Sequence, residues 1–143
     1  MIMQVAAKAV IIDDRSRILL VRKSLEYKDG PNAGKFDFPG GRVEVGETYQ
    51  QALVRESKEE VSLEVEPLHP IYVDEWRPII RGQPYQIIGV FSLCKAKNYN
   101  VELDSENDKY EWVSLSNGTK LDLMEPAARL VNLLRDKPDL LLV

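Results

Sequence analysis

The stretch from Thr48 to Ser62 runs for four helical turns without a proline or glycine, in a chain that is otherwise broken by both. Thr48 supplies an N-cap oxygen for the free backbone donors of a first turn. At about 100° per residue, Leu53, Val54, Ser57 and Val61 fall on one side. Glu56, Glu59 and Glu60 fall within roughly a 100° arc on the other. The spacing therefore predicts one amphipathic helix near the middle of the chain, with an apolar side and a crowded acidic side.

Around that helix the sequence reads as short strands. Val5 to Ile12 and Ile18 to Val21 are apolar runs separated by the turn Asp13-Asp14-Arg15-Ser16, as in a hairpin or neighbouring strands. Leu25 to Lys35 is a polar loop. Phe36-Asp37-Phe38 is a short strand that ends in Pro39-Gly40-Gly41 and is expected to resume over Val43 to Gly46. Leu63 to Val73 and Gln86 to Lys95 are further strands, the first made irregular by Pro67 and Pro70. Trp76-Arg77-Pro78 and Arg81-Gly82-Gln83-Pro84 are expected in the connection between them. Tyr110 to Leu115 is another strand. Leu121 to Arg135 is a second helix, with Leu123, Ala127, Leu130, Val131 and Leu134 at helical spacing and Pro138 beyond its end. Mixed strands with two helices imply an α/β chain of the α+β type, a sheet packed between helices. At 143 residues this is one domain, residues 1–143, able to bury a core.

The acidic side needs a physical reason. Like charges three and four positions apart repel, and these lie near the helix C-terminus, where the backbone dipole disfavours anions. Taken alone, such a face is most simply a solvated surface. A divalent cation reverses the argument, because it requires several oxygen ligands directed at one point. Mg²⁺ accepts few carboxylates and completes its shell with water and phosphate oxygens, which points to phosphate chemistry.

The residues upstream bear on that choice. Gly41, five residues, Glu47, seven residues, Arg55-Glu56, two residues, then Glu59-Glu60 resembles the Nudix box, Gly-x5-Glu-x7-Arg-Glu-U-x-Glu-Glu-x-Gly-U, where U is a bulky aliphatic residue. Leu63 matches the last U. A six-residue match at fixed spacing is expected by chance in on the order of one chain in 10⁵ of this length. Ser57 and Ser62 depart from the pattern, in place of an aliphatic residue and of the glycine that ends the helix with positive φ. Neither is a metal ligand in the pattern, and Ser57 faces the apolar side, where it costs packing rather than chemistry.

The resemblance implies a Nudix-like α/β/α sandwich and hydrolysis of a diphosphate linkage in a nucleoside diphosphate derivative. The leading substrate is a nucleoside triphosphate or its oxidised form, and the product is a nucleoside monophosphate. It implies Mg²⁺, with Mn²⁺ as the alternative, held by Glu56, Glu59, Glu60 and the Gly40 carbonyl. Glu59 and Glu56 are then catalytic. Gly41, Glu47 and Arg55 are supporting residues, Arg55 through an ion pair to Glu47. It also implies a further carboxylate before a Trp-bearing strand, as general base or extra ligand. Ahead of Trp112, Glu106 is the candidate, with Asp104 and Asp108 as rivals. Arg22, Lys23, Lys35 and Arg42 are candidates for phosphate. Trp76 is the candidate for stacking a flat group, ahead of Phe36, Phe38, Tyr72 and Tyr85.

Composition limits the alternatives. A net charge of -4 argues against a nonspecific nucleic-acid binder. It also weighs mildly against cleavage of RNA 5′ ends, which stands as an alternative beside nucleotide sugars and dinucleoside polyphosphates. A non-catalytic Nudix-fold domain that senses a nucleotide is the rival from another class, and such domains usually lose box glutamates that this chain keeps. The single cysteine, Cys94, lies in an apolar run and allows no disulfide within the chain, as in a reducing compartment. No signal-like or membrane-spanning run is present in the sequence, so a cytoplasmic monomer or homodimer with a small-molecule nucleotide substrate is expected. The only histidine, His69, has no catalytic partner pattern.

Overall fold

The computed structural model describes residues 1–142. Its strands are β1 (Ile2–Ile12), β2 (Ile18–Lys23), β3 (Phe36–Asp37), β4 (Gly40–Arg42), β5 (Val65–Trp76), β6 (Ile79–Ile80), β7 (Gln83–Ala96) and β8 (Asn107–Val113). Its helices are α1 (Tyr49–Val61), α2 (Leu115–Gly118) and α3 (Glu125–Asp136), followed by a 3₁₀ turn over Pro138–Leu141. No helix among the described residues is long and apolar enough to cross a membrane.

The sheet runs β3-β2-β1-β7-β5, with β4 also on β1, β6 on β7 and β8 on β2. β1 and β7 are parallel along their length, from Ile2↔Tyr85 to Ile12↔Lys95, whereas the other pairs are antiparallel. The expected mixed sheet between helices is thus found. β1 is apolar on both sides because both of its faces are covered. Val10 and Ile12 join a cluster with Phe91, Leu93 and the α3 residues Leu130 and Leu134. Ala7, Ala9 and Ile11 face the other way and pack with Leu53 and Val61 of α1.

Local structure departs from the sequence expectations at several points. Val43 to Gly46 is a turn, and the strand lies earlier, at Gly40–Arg42. The Val43 N–H donates to Val5 O, after which Glu47 N–H folds back onto Glu44 O and Gly46 takes a φ of +87°. The second long helix starts at Glu125 rather than Leu121, because residues 122–124 are engaged elsewhere. Phe36 N–H donates to Asp122 O, and Met124 N–H donates to Phe36 O. Pro126, in the first turn of α3, lacks the donor a first turn would leave free. Pro138 opens a 3₁₀ turn after α3. β8 begins at Asn107, and Ser114 caps the short α2, which sequence patterning did not indicate. The irregularity expected at Pro67 and Pro70 is present as two shifts of register in β5.

α1 is bounded as its sequence suggests. Thr48 Oγ1 accepts from Gln51 N–H, and the Gln51 side chain accepts from Thr48 N–H. Ser62 occupies the glycine position with φ 61° and still makes the left-handed exit, aided by its hydroxyl donating to Glu102 O. Val54, expected on the apolar side, is 42% exposed. Ser57 is fully buried and its hydroxyl has no hydrogen-bond partner among the described residues. An unmade buried hydrogen bond costs about 1–3 kcal/mol. Ser57→Ala removes it and adds helix propensity. The variant is expected to be more stable by about 1 kcal/mol in urea unfolding.

Candidate active site

α3 covers only part of its face of the sheet. The other part opens into a cleft of about 520 Å³ whose lining includes Ala6, Lys8, Asp37, Gly40, Gly41, Glu56, Glu59 and Glu60. α1 lies on the opposite face, and its glutamates reach the cleft past the short strand β4.

Gly40 and Gly41 make that passage possible. A Cβ on Gly41 would stand 2.6 Å from the Glu56 carboxylate, so the carboxylate fills the space a side chain would take. The Gly40 N–H donates to Glu60 Oε2 at 3.2 Å. The acidic side of α1 is therefore graded rather than uniformly solvated. The Glu59 side chain is 60% exposed and that of Glu56 is 19% exposed, while Glu60 as a residue is 8% exposed.

Arg55 organises this region. Its Nε and Nη2 donate to both oxygens of Glu47, at 2.8 and 2.9 Å. Its Nη1 donates to Glu56 Oε1 at 2.8 Å and lies 3.4 Å from Glu59 Oε2. Its Nη2 also donates to Arg42 O at 3.0 Å. The ion pair expected between Arg55 and Glu47 is present as a two-pronged contact. It ties the loop before α1 to the helix, and hydrogen bonding from Arg55 holds the Glu47 carboxyl down at about 2. Burial raises Glu56 above the ordinary carboxylate range against the pull of Arg55. Burial pushes Glu60 up to about 7, with the charges of Lys8 and Lys23 and the Gly40 N–H acting against it.

Among the described residues, no three acidic, histidine or cysteine side chains are gathered closely enough to hold a metal ion as they stand. Arg55 lies between Glu56 and Glu59. The donor chemistry nevertheless fits a hard divalent cation. All the candidate ligands are oxygens, and two carboxylates with raised pKa values gain most from neutralisation. Mg²⁺ needs only one or two carboxylates from the protein, with water and phosphate completing its shell.

The remaining candidates divide. Lys23, Arg42, Trp76, Asp104 and Glu106 line the cleft; Arg22, Lys35 and Asp108 do not. Arg22 is engaged with Asp108 at 2.8 Å instead. Lys35 serves through its backbone carbonyl, which accepts from Lys23 N–H and closes the base of the polar loop. Lys23 Nζ lies 3.6 Å from Glu106 Oε2 and 4.9 Å from the Tyr27 ring centre. Trp76 ends β5, paired with Ile87, rather than sitting in a loop. It can do so because its ring occupies the space above Gly89, where a Cβ would come within 2.6 Å. Phe36, Phe38 and Cys94 are core residues.

Three polar residues at the site were not singled out from sequence. Lys8, 7% exposed, donates to Asp37 Oδ2 at 2.7 Å. Asn107, 6% exposed, donates to Glu60 Oε1 at 3.3 Å and to Asp104 Oδ1 at 2.9 Å. The available signal was a lone lysine within the apolar run Val5–Ile12 and a lone aspartate between Phe36 and Phe38.

The NUDIX domain family model matches residues 3–134, and the chain belongs to the Nudix family. Among curated relatives, the 8-oxo-dGTP diphosphatase of Escherichia coli is 40% identical over 57 residues, 40% of this chain and 42% of that protein. The ADP-ribose pyrophosphatase of Methanocaldococcus jannaschii is 47% identical over 53 residues, 37% of this chain and 29% of that protein. The matched region thus spans less than half the length of either relative. Among solved structures, the MutT protein from Methanosarcina mazei superposes with a TM-score of 0.76 at 23% identity, covering 96% of both chains. An ADP-ribose pyrophosphatase from Streptococcus suis superposes with a TM-score of 0.64 at 22% identity, covering 90% of this chain and 88% of that one. These superpositions establish the fold.

Proposed function

We propose that this chain is a divalent-cation-dependent pyrophosphohydrolase that cuts a diphosphate linkage in a nucleoside diphosphate derivative. The observation that carries the reading is the placement of the Glu56 and Glu60 carboxylates against Gly41 and Gly40 at the wall of the cleft. Glu56, Glu59, Glu60 and the Gly40 carbonyl would hold Mg²⁺ or Mn²⁺. When bound, the ion supplies charge neutralisation on the diphosphate and acidifies a bound water. Lys23 and Arg42 face the cleft from opposite sides of the glycine pair in sequence and bind phosphate oxygens. Glu106 accepts the proton of the attacking water, directly or through a second water; Asp104, held by Asn107, is its neighbour on the same loop. Arg55 and Glu47 position the glutamates without touching substrate.

Water adds to one phosphorus, the bridging P–O bond breaks, and the bridging oxygen leaves with the other phosphoryl group. A nucleoside triphosphate or its oxidised form yields a nucleoside monophosphate and pyrophosphate. The partial similarity to both an 8-oxo-dGTP diphosphatase and an ADP-ribose pyrophosphatase supports the bond type and the nucleoside half. The test is incubation with Mg²⁺ and a panel of nucleoside triphosphates, 8-oxo-dGTP, nucleotide sugars, dinucleoside polyphosphates and 5′-triphosphate RNA, with products separated by chromatography. At least one member is expected to release a nucleoside monophosphate. No turnover of any member at neutral or mildly alkaline pH would favour a nucleotide-sensing domain.

The raised pKa of Glu60 carries a pH dependence. Below about 7 the carboxyl is mostly protonated, so a cation must displace its proton. Mg²⁺ affinity is expected to fall as pH drops from 8 to 6 and to level off above 8. Calorimetric titration in buffers of different ionisation enthalpy would show proton release near pH 7, and an affinity independent of pH over this range would contradict it.

A further inference from the structure

The cover that α1 gives the sheet stops short of one end. Alternation along β1 sends Gln4, Ala6 and Lys8 into the cleft and Met3, Val5 and Ala7 to the face that carries α1. The helix is anchored at its first residue, where Tyr49 Oη and Ser92 Oγ lie 2.6 Å apart. From Ala7 onward β1 packs beneath it, against Leu53 and Val61. Before Ala7 the face is open, with Met3 56% exposed and Val5 39% exposed.

The neighbouring strands continue the open area. In register with Val5 and Ala7 stand Ile88 and Val90 of β7, and beyond them Glu75 and Val73 of β5. Registered residues share a face, so Met3, Val5, Ile88, Val90 and Val73 form one apolar patch. Val73 is 60% exposed, Ile88 and Val90 are half-buried, and none of the five belongs to either core cluster. The polar residues within the patch satisfy one another, Gln86 Nε2 donating to Glu75 Oε2. An apolar patch of roughly 300–400 Å² has the size that marks an interaction site on a soluble chain. It is about half of the ~800 Å² that each partner of a standard interface buries, the share an apolar centre takes within a polar rim.

We propose that this face packs against the same face of a second copy of the chain. Its stepped shape fits a twofold contact. α1 stands over the C-terminal half of β1 and leaves the N-terminal half bare. A twofold axis lying between two such faces, across the strands, reverses the direction of β1. The two bare halves then meet, and each α1 lies beyond the end of the other sheet rather than against the other helix. One patch serves twice, as an isologous contact requires. Sheets so opposed interdigitate their apolar side chains at about 10 Å separation. The cleft is on the other face of the sheet, so the contact leaves it free and stands independently of the hydrolase reading.

Sedimentation equilibrium of the full chain at up to about 100 µM is the test. Wild type is expected at twice the chain mass, with a melting temperature that rises with protein concentration. Met3→Glu and Val73→Glu each put a charge into the contact, from β1 and from β5, and the twofold axis doubles it. Each is expected to weaken association at least about tenfold. Both should keep a cooperative melt, because both positions are exposed in the single chain. Tyr110→Glu, at an exposed position of β8 on the other side of the sheet, is expected to remain dimeric. A wild type that stays monomeric throughout would overturn the proposal and leave the face to a different chain. Dimers that survive either Met3→Glu or Val73→Glu, or that Tyr110→Glu dissociates to the same extent, would overturn it as well.

Discussion

Replacing Glu60 by Gln is expected to lower turnover about 10²–10³-fold, the usual effect of removing one charged group that stabilises a transition state. The fold should survive. Glu60 is buried, and its carboxyl already favours the neutral form up to about pH 7. A glutamine keeps an oxygen for the Gly40 N–H, gives up the 3.3 Å acceptor of Asn107 Nδ2, and removes the desolvated charge. At pH 8, without metal, the variant is expected to melt at or above the wild-type temperature, because there the wild-type side chain is ionised against its environment. Glu59→Gln is expected to lose comparable activity with an unchanged melt, since that side chain is 60% exposed. Turnover near wild type in both variants would show that these carboxylates are not the metal ligands. A collapsed melt in Glu60→Gln would show that its charge holds the fold.

The glycine pair gives the second large effect, and the two positions are expected to fail in different ways. Gly40 has a φ of +145°, and a Cβ there would stand 2.1 Å from Ala7 O and 2.8 Å from Lys8 Cα. Both obstacles are backbone of the central strand β1, which cannot yield without breaking the sheet. Gly40→Ala is expected to cost about 4 kcal/mol or more in urea unfolding. At Gly41 the obstacle is the end of the flexible Glu56 side chain, 2.6 Å from the added Cβ. That carboxylate can swing aside. Gly41→Ala is expected to change stability by less than about 1 kcal/mol, yet to lower turnover roughly tenfold to hundredfold by misplacing Glu56. Equal stability losses in the two variants would mean that Glu56 is not held against Gly41.

The contrast shows what sequence can carry and what it cannot. The box residues are close in the chain, and their roles depend on fixed spacing along a strand, a loop and a helix. The placement of Gly41, Glu47, Arg55 and the glutamates was therefore legible. Periodicity also located α1 and the mixed sheet. It placed Glu56, Glu59 and Glu60 on one arc but could not show the gradation of burial across it, because that depends on β4 and β8 packing alongside. Lys8, Asp37 and Asn107 were missed for the same reason. Lys8 and Asp37 are lone polar residues between apolar ones, and Asn107 is one of several polar residues in β8. Only the pairing of β1 with β4 and of β2 with β3 and β8 brings the first two to the cleft and the third to Glu60 and Asp104. Trp76 was expected in a loop because Pro78 and Gly82 follow it. The absence of a side chain at Gly89, thirteen residues on, is what keeps the tryptophan in the strand. Arg22 was a phosphate candidate from the family resemblance at the end of the second strand and Lys35 from flanking the glycine loop, and neither residue lines the cleft.

Titration of Mn²⁺ into the wild type and into Glu56→Gln, Glu59→Gln and Glu60→Gln at pH 8, followed by electron paramagnetic resonance, tests the metal site without relying on turnover. Saturable binding by the wild type is expected, with affinity at least about tenfold weaker in each variant. Mn²⁺ binding of wild-type strength in all three variants would place the metal elsewhere in the molecule and remove the basis for hydrolysis at this cleft.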